Sequence, residues 1–396
     1  MKSIVKKSIA IGCLLVALIV LLILKENVAV CEWFATAVFP AWVFFAGHVS
    51  SVFSFSVFEL LLYLAVLFAV TFLVWTIVLL CQRKWTKGAN KFLTLTLVAL
   101  CILTVYFSTA GMAYNREKLP IISYDHKTTT EKIDIEKAMD LAVFYADKLD
   151  QVNAQLQRNQ DGTVKMPSFE EIYDLLVLEF EKLDDDYFAK YSPKAKTLSS
   201  QWIFSNLSIA GVSFSVTGEP NVNLGCANFY NLPSVLAHEM AHSKGVMRES
   251  DANSVAYYLL LNSDNPYLQY SVLADVSSAI SKLVRSLQRQ ENPNAEVNFT
   301  FSSLLQPQTS VEVVADKIAY SAYWKDYQIL DKFGTWLNDT YLKLMGQKDG
   351  VGSYVEDGST QIQDKTDENG NQVQVQVVVS FSNLQNILID HYLSEN

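Results

Sequence analysis

"LAHEMAHSKGVMRESDAN", Leu236–Asn253, decides how the rest of the chain is read. It places two of only five histidines four residues apart, with a glutamate beside the first. On a helix, positions i and i+4 project from one face, so His238 and His242 can offer both imidazoles to one ion. Glu239 points along the same side, within reach of a water held there. This is the HExxH arrangement of metallopeptidases, which needs a third protein ligand and an open fourth position.

Glu249 is the best third ligand. It follows His242 by seven residues, past a turn at Gly245, and a helix–turn–helix folds it back over the histidines. Asn253 lies one helical turn further on the same face, where it can accept from a histidine ring N–H and fix its tautomer. Asp251 faces away from that stripe and ranks second. Imidazole and carboxylate ligands at an open site favour Zn2+ over other divalent ions. The expected chemistry is hydrolysis: the metal polarises a carbonyl and acidifies a water, and Glu239 takes the water proton and passes it to the leaving amine. An oxyanion donor is also needed, and the local sequence does not identify one. The competing reading is a polar-faced helix with unrelated histidines. His48, His126 and His391 lack comparable partners and read as surface or interface histidines.

N-terminal to this stretch the chain changes character. Ser8–Leu24, Leu60–Leu80 and Phe92–Ala110 are apolar runs of about the length that crosses a bilayer as a helix, roughly 20 residues. The first lacks a small-x-small cleavage pattern before Lys25 and reads as an uncleaved anchor. Lys2, Lys6 and Lys7 precede it, and Arg83, Lys84, Lys87 and Lys91 fill the loop between the second and third runs. The positive-inside rule puts both in the cytoplasm and the C-terminal part outside. The segment 31–56 is rich in Trp and Phe and is interrupted by Pro40 and Gly47. It reads as an outer aromatic belt that anchors the first two spans; an interfacial segment shaping access to the site is the other reading.

Residues 111–396 are ordinary soluble sequence, with 23 basic against 38 acidic residues, a net of −15. Such a surface repels nucleic acid. Cys226 alone of five cysteines lies in this part, which excludes an intradomain disulfide or a cysteine-rich metal site; a Cys31–Cys226 bridge has no support. Helices are expected after Thr130, from Ser168 (a capping box with Glu171) to about Lys190, around the HExxH residues from Pro233 to Gly245, and from Arg248 to Leu261. Tyr267–Arg289 and Val311–Met345 read as two more. Val212–Val216 and Asn221–Ala227 read as short strands about a Gly218-Glu219-Pro220 turn. Val351–Asn371 reads as a flexible loop that includes a turn at Asp367–Asn371, and Val373–Phe381 as a strand.

Two resemblances add to this. The Glu249–Asn253 pattern resembles the third-ligand helix of gluzincins, where a Glu ligand is followed four residues later by Asp or Asn; the short connection from His242 is unusual. Over nearly the whole chain, three N-terminal spans, "VTGEPNVN" (Val216–Asn223), "LPSVLAHEMAHSKGVMRESDAN" (Leu232–Asn253) and "YLKLMGQKDGVGSY" (Tyr341–Tyr354) resemble the bacterial family called domain of unknown function 3810, regarded as zincin-like. The resemblance ends at Tyr354. It implies a metallopeptidase of the bacterial cytoplasmic membrane with no known substrate. It also directs attention to Phe214–Asn223, which is either a strand of the kind that in zincins often lies along the cleft and pairs with an extended substrate or an ordinary core strand, and to Tyr341, Lys343, Gln347 and Tyr354. Either Tyr341 or Tyr354 is a possible oxyanion or substrate contact, against the plainer reading of a capped helix end. Cys226 lines the cleft or is a small buried residue.

The expected architecture is therefore an α-helical membrane anchor of three transmembrane helices in residues 1–110, followed by a mostly helical α+β zincin-like domain in 111–396. The expected function is zinc-dependent peptide hydrolysis, with His238, His242 and Glu249 as ligands, Glu239 as base and a peptide or protein substrate. A non-catalytic zinc-stabilised envelope or receptor domain and a cell-wall peptide amidase are the alternatives.

Overall fold

The computed structural model describes residues 2–121, 133–292, 298–354, 359–366, 372–378 and 380–395. Its N-terminal part holds α1 (Lys2–Leu24), α2 (Val28–Ser51), α3 (Val57–Cys81) and α4 (Trp85–Gly111), four helices long and apolar enough to cross a membrane where three were expected. The additional one is α2, which runs straight through the expected aromatic belt. A π-turn at Phe34–Val38 precedes Pro40, so the proline falls in the first turn of the resumed helix Phe39–Ser51, where its missing N–H costs little. Gly47 is there for contact: a Cβ on it would lie 2.9 Å from both Pro193 and Tyr191.

The helix α2 touches the C-terminal domain along its whole length. Glu32 pairs with Arg116 at 2.5 Å, Phe39 packs under Gly245, Trp42 Nε1 donates to Ser215 O at 2.9 Å, and Ser51 Oγ accepts from Lys194 N at 3.0 Å. The ends of the other three helices nearest the domain are also fastened to it. Lys25, just past α1, donates to Met345 O at 2.6 Å. At the start of α3, Glu59 accepts from the N–H groups of Ser199 and Ser200 at 2.7 and 2.8 Å. In return Glu219 of the domain accepts from Phe58 N at 2.5 Å. Glu219 thereby fills an orphan donor in the first turn of α3, while Glu59 holds the two residues that lead into the helix Gln201–Asn206. A small buried cluster of Ala35, Phe39, Val43, Ala110, Ala113, Tyr114, Met247 and Met345 joins α2 and α4 to the domain.

The domain is built on helices α5 (Ile135–Asn153), α6 (Phe169–Glu181), α7 (Gln201–Asn206), α8 (Leu232–Ser243), α9 (Glu249–Leu261), α10 (Pro266–Leu273), α11 (Ser277–Glu291), α12 (Pro307–Lys325), α13 (Asp331–Leu344) and α14 (Asn383–Glu395). Its core joins Leu141, Ile172, Leu236, Met240, Val255, Leu268, Ile280 and Leu388 from seven of them. The strands β1 (Lys196–Thr197), β2 (Gly211–Phe214) and β3 (Glu219–Val222) form a sheet in the order β1-β3-β2, leaving β2 at its edge. β2 is antiparallel to β3, with Gly211 opposite Val222 and Phe214 opposite Glu219.

Several boundaries differ from expectation for local reasons. The Ser168–Glu171 capping box opens α6, but that helix stops at Glu181 rather than Lys190. Three successive aspartates, Asp184–Asp186, oppose a helix C-terminus, and Asp185 turns the chain by accepting from Tyr187 N at 2.7 Å. The turn between β2 and β3 lies at Ser215–Gly218, with Gly218 at φ +71°, and Pro220 sits within β3. Tyr267–Arg289 breaks into α10 and α11 where Asp275 accepts from Tyr230 Oη at 2.7 Å. Val311–Met345 breaks into α12 and α13. The expected loop 351–371 holds a 3-10 turn at Gly350–Tyr354 and a strand, β4 (Thr360–Thr366), paired with β5 (Gln372–Val378). His126, Thr130 and the Asp367–Asn371 turn lie outside the described residues. All five cysteines are free, so Cys31 and Cys226 are not bridged.

Candidate metal centre

The quoted stretch folds as two helices about one glycine. Pro233 occupies the first turn of α8, where a missing N–H is harmless; Asn231 sits at the cap position, but its side chain makes no capping bond. Gly245, at φ +94°, ends the turn after α8 in the left-handed region. Arg116, itself 2% exposed, donates to Gly245 O at 3.3 Å and to Tyr187 O at 2.9 Å, and so holds that turn from below. Glu249 then opens α9, at the end of a helix that favours an acidic side chain.

Ligand atoms of His238, His242 and Glu249 all lie within 4.8 Å of one another. His242 Nδ1 is 2.7 Å from Val246 O, which can only accept, so that nitrogen carries a proton. His238 Nδ1 is 2.8 Å from Asn253 Oδ1. Asn253 is oriented by donating through Nδ2 to Tyr354 O at 2.8 Å, so His238 Nδ1 is also protonated. When both rings are neutral their Nε2 atoms are bare lone pairs, 3.1 Å apart, and Glu249 Oε2 stands 3.1 and 3.5 Å from them. Three acceptors converge on one point. Such a set repels itself unless a proton or a cation lies between.

The ionisation of these groups follows. Burial alone would lower His242, but the neighbouring Glu249 carboxylate outweighs it and raises the imidazole to about 9. Burial would raise Glu249, yet His242 and His238 hold it well below the usual carboxylate range. Glu239 is 6% exposed; burial raises it above an ordinary glutamate, against the pull of the two histidines and the Ser213 N–H. A Cβ on Gly211 would come within 2.5 Å of Glu239 Oε1, so the edge strand β2 lies directly on this carboxylate.

Of the other expected residues, Asp251 turns to Arg248 Nε at 2.5 Å and takes no part in the cluster. Tyr354 stacks on His238, with ring centroids 6.2 Å apart, and its hydroxyl accepts from Asn338 at 3.3 Å. The Tyr341 hydroxyl is 2.5 Å from that of Tyr106 and 3.1 Å from that of Tyr114. Burial first, then the Glu249 charge, raises Tyr354 and keeps it protonated; Tyr341, 39% exposed, is shifted upward as well. Lys343 pairs with Asp339 at 2.7 Å, and Cys226 is fully buried with its thiol pushed up to about 12 by burial. His48 stacks on Tyr191, and His391 on Tyr145, both away from the cluster.

Sequence reasoning missed Gly211, Val246, Tyr106, Tyr114 and Arg116. Val246 acts through a backbone carbonyl and so has no sequence signal. Tyr106 and Tyr114 flank the end of an apolar run, where tyrosine ordinarily reads as an interface anchor.

A family model described as "Protein of unknown function (DUF3810)" matches residues 34–356. The match starts within α2 and leaves out α1 and the β4–β5 hairpin. No curated protein and no solved structure matches the chain.

Proposed function

The chain belongs to that family of proteins of unknown function, and we propose that it is a membrane-anchored zinc metallopeptidase. One observation carries this reading: two imidazole lone pairs and a carboxylate oxygen point at a common centre, with each imidazole's other nitrogen already bonded outward. That donor set fits Zn2+, and His238, His242 and Glu249 would hold it. A zinc ion there supplies Lewis acidity toward a peptide carbonyl and toward water.

The remaining work falls to the chain. Glu239, with its pKa raised by burial, holds a proton on its way from water to the leaving amine. The open edge of β2 pairs with an extended peptide and lays it beside Glu239. Tyr341 and Tyr354, both neutral, are donors for the developing oxyanion.

The anchor is read as three spans, α1, α3 and α4, in a bacterial cytoplasmic membrane. Their domain-side ends are all fastened to the domain, while Arg83, Lys84 and Lys87 lie at the opposite end of the α3–α4 hairpin. That charge asymmetry favours an extracytoplasmic domain. α2 starts and finishes on the domain, which suits a helix lying at the outer surface rather than a fourth crossing.

The test is the pair Glu239→Gln and His238→Ala in the full-length protein. The wild type is expected to carry one zinc and to cut casein-derived peptides. E239Q should keep the metal and lose about 10²-fold or more in turnover, and H238A should lose both. Metal retained without any hydrolysis by the wild type would leave a structural zinc domain. Cleavage confined to peptidoglycan fragments would favour the amidase.

A further inference from the structure

The three helices α1, α3 and α4 do not stay together along their length. Near the hairpin, α3 and α4 are in close contact: a Cβ on Gly88 would lie 2.9 Å from Leu80, and Lys91 Nζ stands 3.6 Å from the centre of the Trp75 ring. Toward the domain this contact ends. Leu60 to Leu67, eight consecutive residues of α3, are all exposed. A helix packed against a neighbour buries a stripe at every third or fourth position. Eight residues exposed in succession cover more than two turns and every face. Cys101, Ile102 and Leu103 on α4 are exposed at the same end. α3 thus diverges from the α1–α4 pair and leaves a wedge, open to the side, with no charged residue on α3 between Leu60 and Cys81.

The domain roofs this wedge. α7 begins where Glu59 caps Ser199 and Ser200, and Tyr63 bonds to Ser200 from the next turn of α3. The far end of α7 meets α13 through Asn206 with Ile329, Ser208 with Asp331, and Leu207 against Gly334. α13 ends on the tops of α1 and α4, through Lys25 with Met345 and Tyr106 with Tyr341. The two helices form a lintel from α3 to α4 that exposes Trp202, Phe333, Trp336, Leu337 and Leu344. Above it, β2 starts at Gly211 against Glu239 and ends at Phe214, whose ring packs on Phe58 of α3 at 4.9 Å. The open strand edge therefore leads from the top of the wedge to the carboxylate, about 10 Å away at ~3.3 Å per residue.

We propose that the wedge holds the membrane-spanning helix of the substrate, and that the stub emerging from that helix runs along β2 to Glu239. The substrates are then membrane-anchored polypeptides cut close to the bilayer. This rests on the metallopeptidase reading. A spanning helix fits better than a lipid chain, because the strand edge above the wedge recognises peptide backbone that must continue from the occupant. The exposed length on α3, about 12 Å at ~1.5 Å per residue, matches two turns of helix packing.

The experiment uses full-length protein in liposomes. The probes are one pool of randomised peptide stubs carried either on a poly-leucine span or on a soluble carrier. The spanning pool should be cut at least about tenfold faster. Sharing a bilayer raises the effective concentration of any anchored probe, so the deciding arm is Ala65→Trp, which adds bulk on the face of α3 that carries Phe72 and Thr76 against α4. It should abolish that advantage while cleavage of the soluble pool stays unchanged. Equal loss of both pools, or no effect of A65W, would overturn the proposal. In the E239Q variant, a photoreactive side chain at position 65 should capture the poly-leucine probe without any turnover. Capture of only lipid or a second copy of the chain would also overturn it. Absence of cleavage of either pool by the wild type, with the probe still captured, would instead sink the peptidase reading.

Discussion

Tyr106, near the end of α4, and Tyr341, on α13, share a hydrogen bond of 2.5 Å, near enough to Glu249 for its charge to raise Tyr341. The membrane part therefore reaches the candidate centre through a side chain as well as through the fold. Tyr341→Phe removes a neutral donor and leaves all three ligands in place. Turnover should drop by about 10²-fold with zinc content unchanged. Tyr106→Phe removes one of the two hydroxyls that orient Tyr341 and leaves Tyr114, so its loss should be smaller. Steady-state kinetics with metal analysis on the same samples checks both.

Asn253 fixes the tautomer of His238 from one side while Tyr354 O fixes Asn253 from the other. Asn253→Ala frees the ring and removes that polarisation. Zinc affinity should fall about 10- to 100-fold, the usual cost of losing a group that orients a ligand. Asn253→Asp should restore only part of the affinity: a carboxylate accepts the same N–H but loses the donation to Tyr354 O and faces that carbonyl instead. Competition with a chromogenic chelator reads the difference.

Arg116 is buried under the turn that separates His242 from Glu249, paired with Glu32 of α2 and lying 3.4 Å over the Tyr187 ring. Arg116→Ala leaves Glu32 unpaired and two carbonyls without their donor. Truncating one partner of a buried ion pair costs about 3–5 kcal/mol, and the partial exposure of Glu32 puts the expectation at the lower end. Thermal unfolding in detergent should show the loss, and zinc affinity should weaken with it because the turn sets the Glu249 position.

His391 is buried on Tyr145, with Nδ1 3.0 Å from the tyrosine oxygen. Burial first, then the Lys148 charge, lowers its pKa from 6.5 to about 4. Between those values the unfolded chain binds a proton that the folded chain refuses. Stability is therefore full above pH ~6.5 and falls as the solution is acidified toward pH ~4, by at most about 3 kcal/mol. His391→Asn should flatten that slope. Urea unfolding at a series of pH values measures it.

Much of the grouping at the site was legible because it rests on helix periodicity. Four residues separate His238 from His242 and Glu249 from Asn253, and Gly245 marks the reversal between them. What was not legible depends on contacts between distant segments. Gly211 makes room for Glu239 across 28 residues of sequence, and Tyr106 meets Tyr341 across 235. Neither leaves a local pattern. The fold shows the same division. The capping box at Ser168 and the three expected apolar runs appear as helices, whereas the continuity of α2 through 28–51 was not legible, because Pro40 and Gly47 look like breakers. A π-turn absorbs one of them, and a neighbour's close approach explains the other.

The exchange of carboxylates between Glu59 and Glu219 has a mechanical consequence. A globular unit on a slack stalk sweeps a hemisphere and meets whatever drifts within its radius. Here the first turn of a bilayer rod and the small sheet of the domain clasp each other, so the unit rides at one altitude with one side always downward. If the domain cuts peptides as proposed, altitude acts as a ruler, and the lengths of the fragments released would record it.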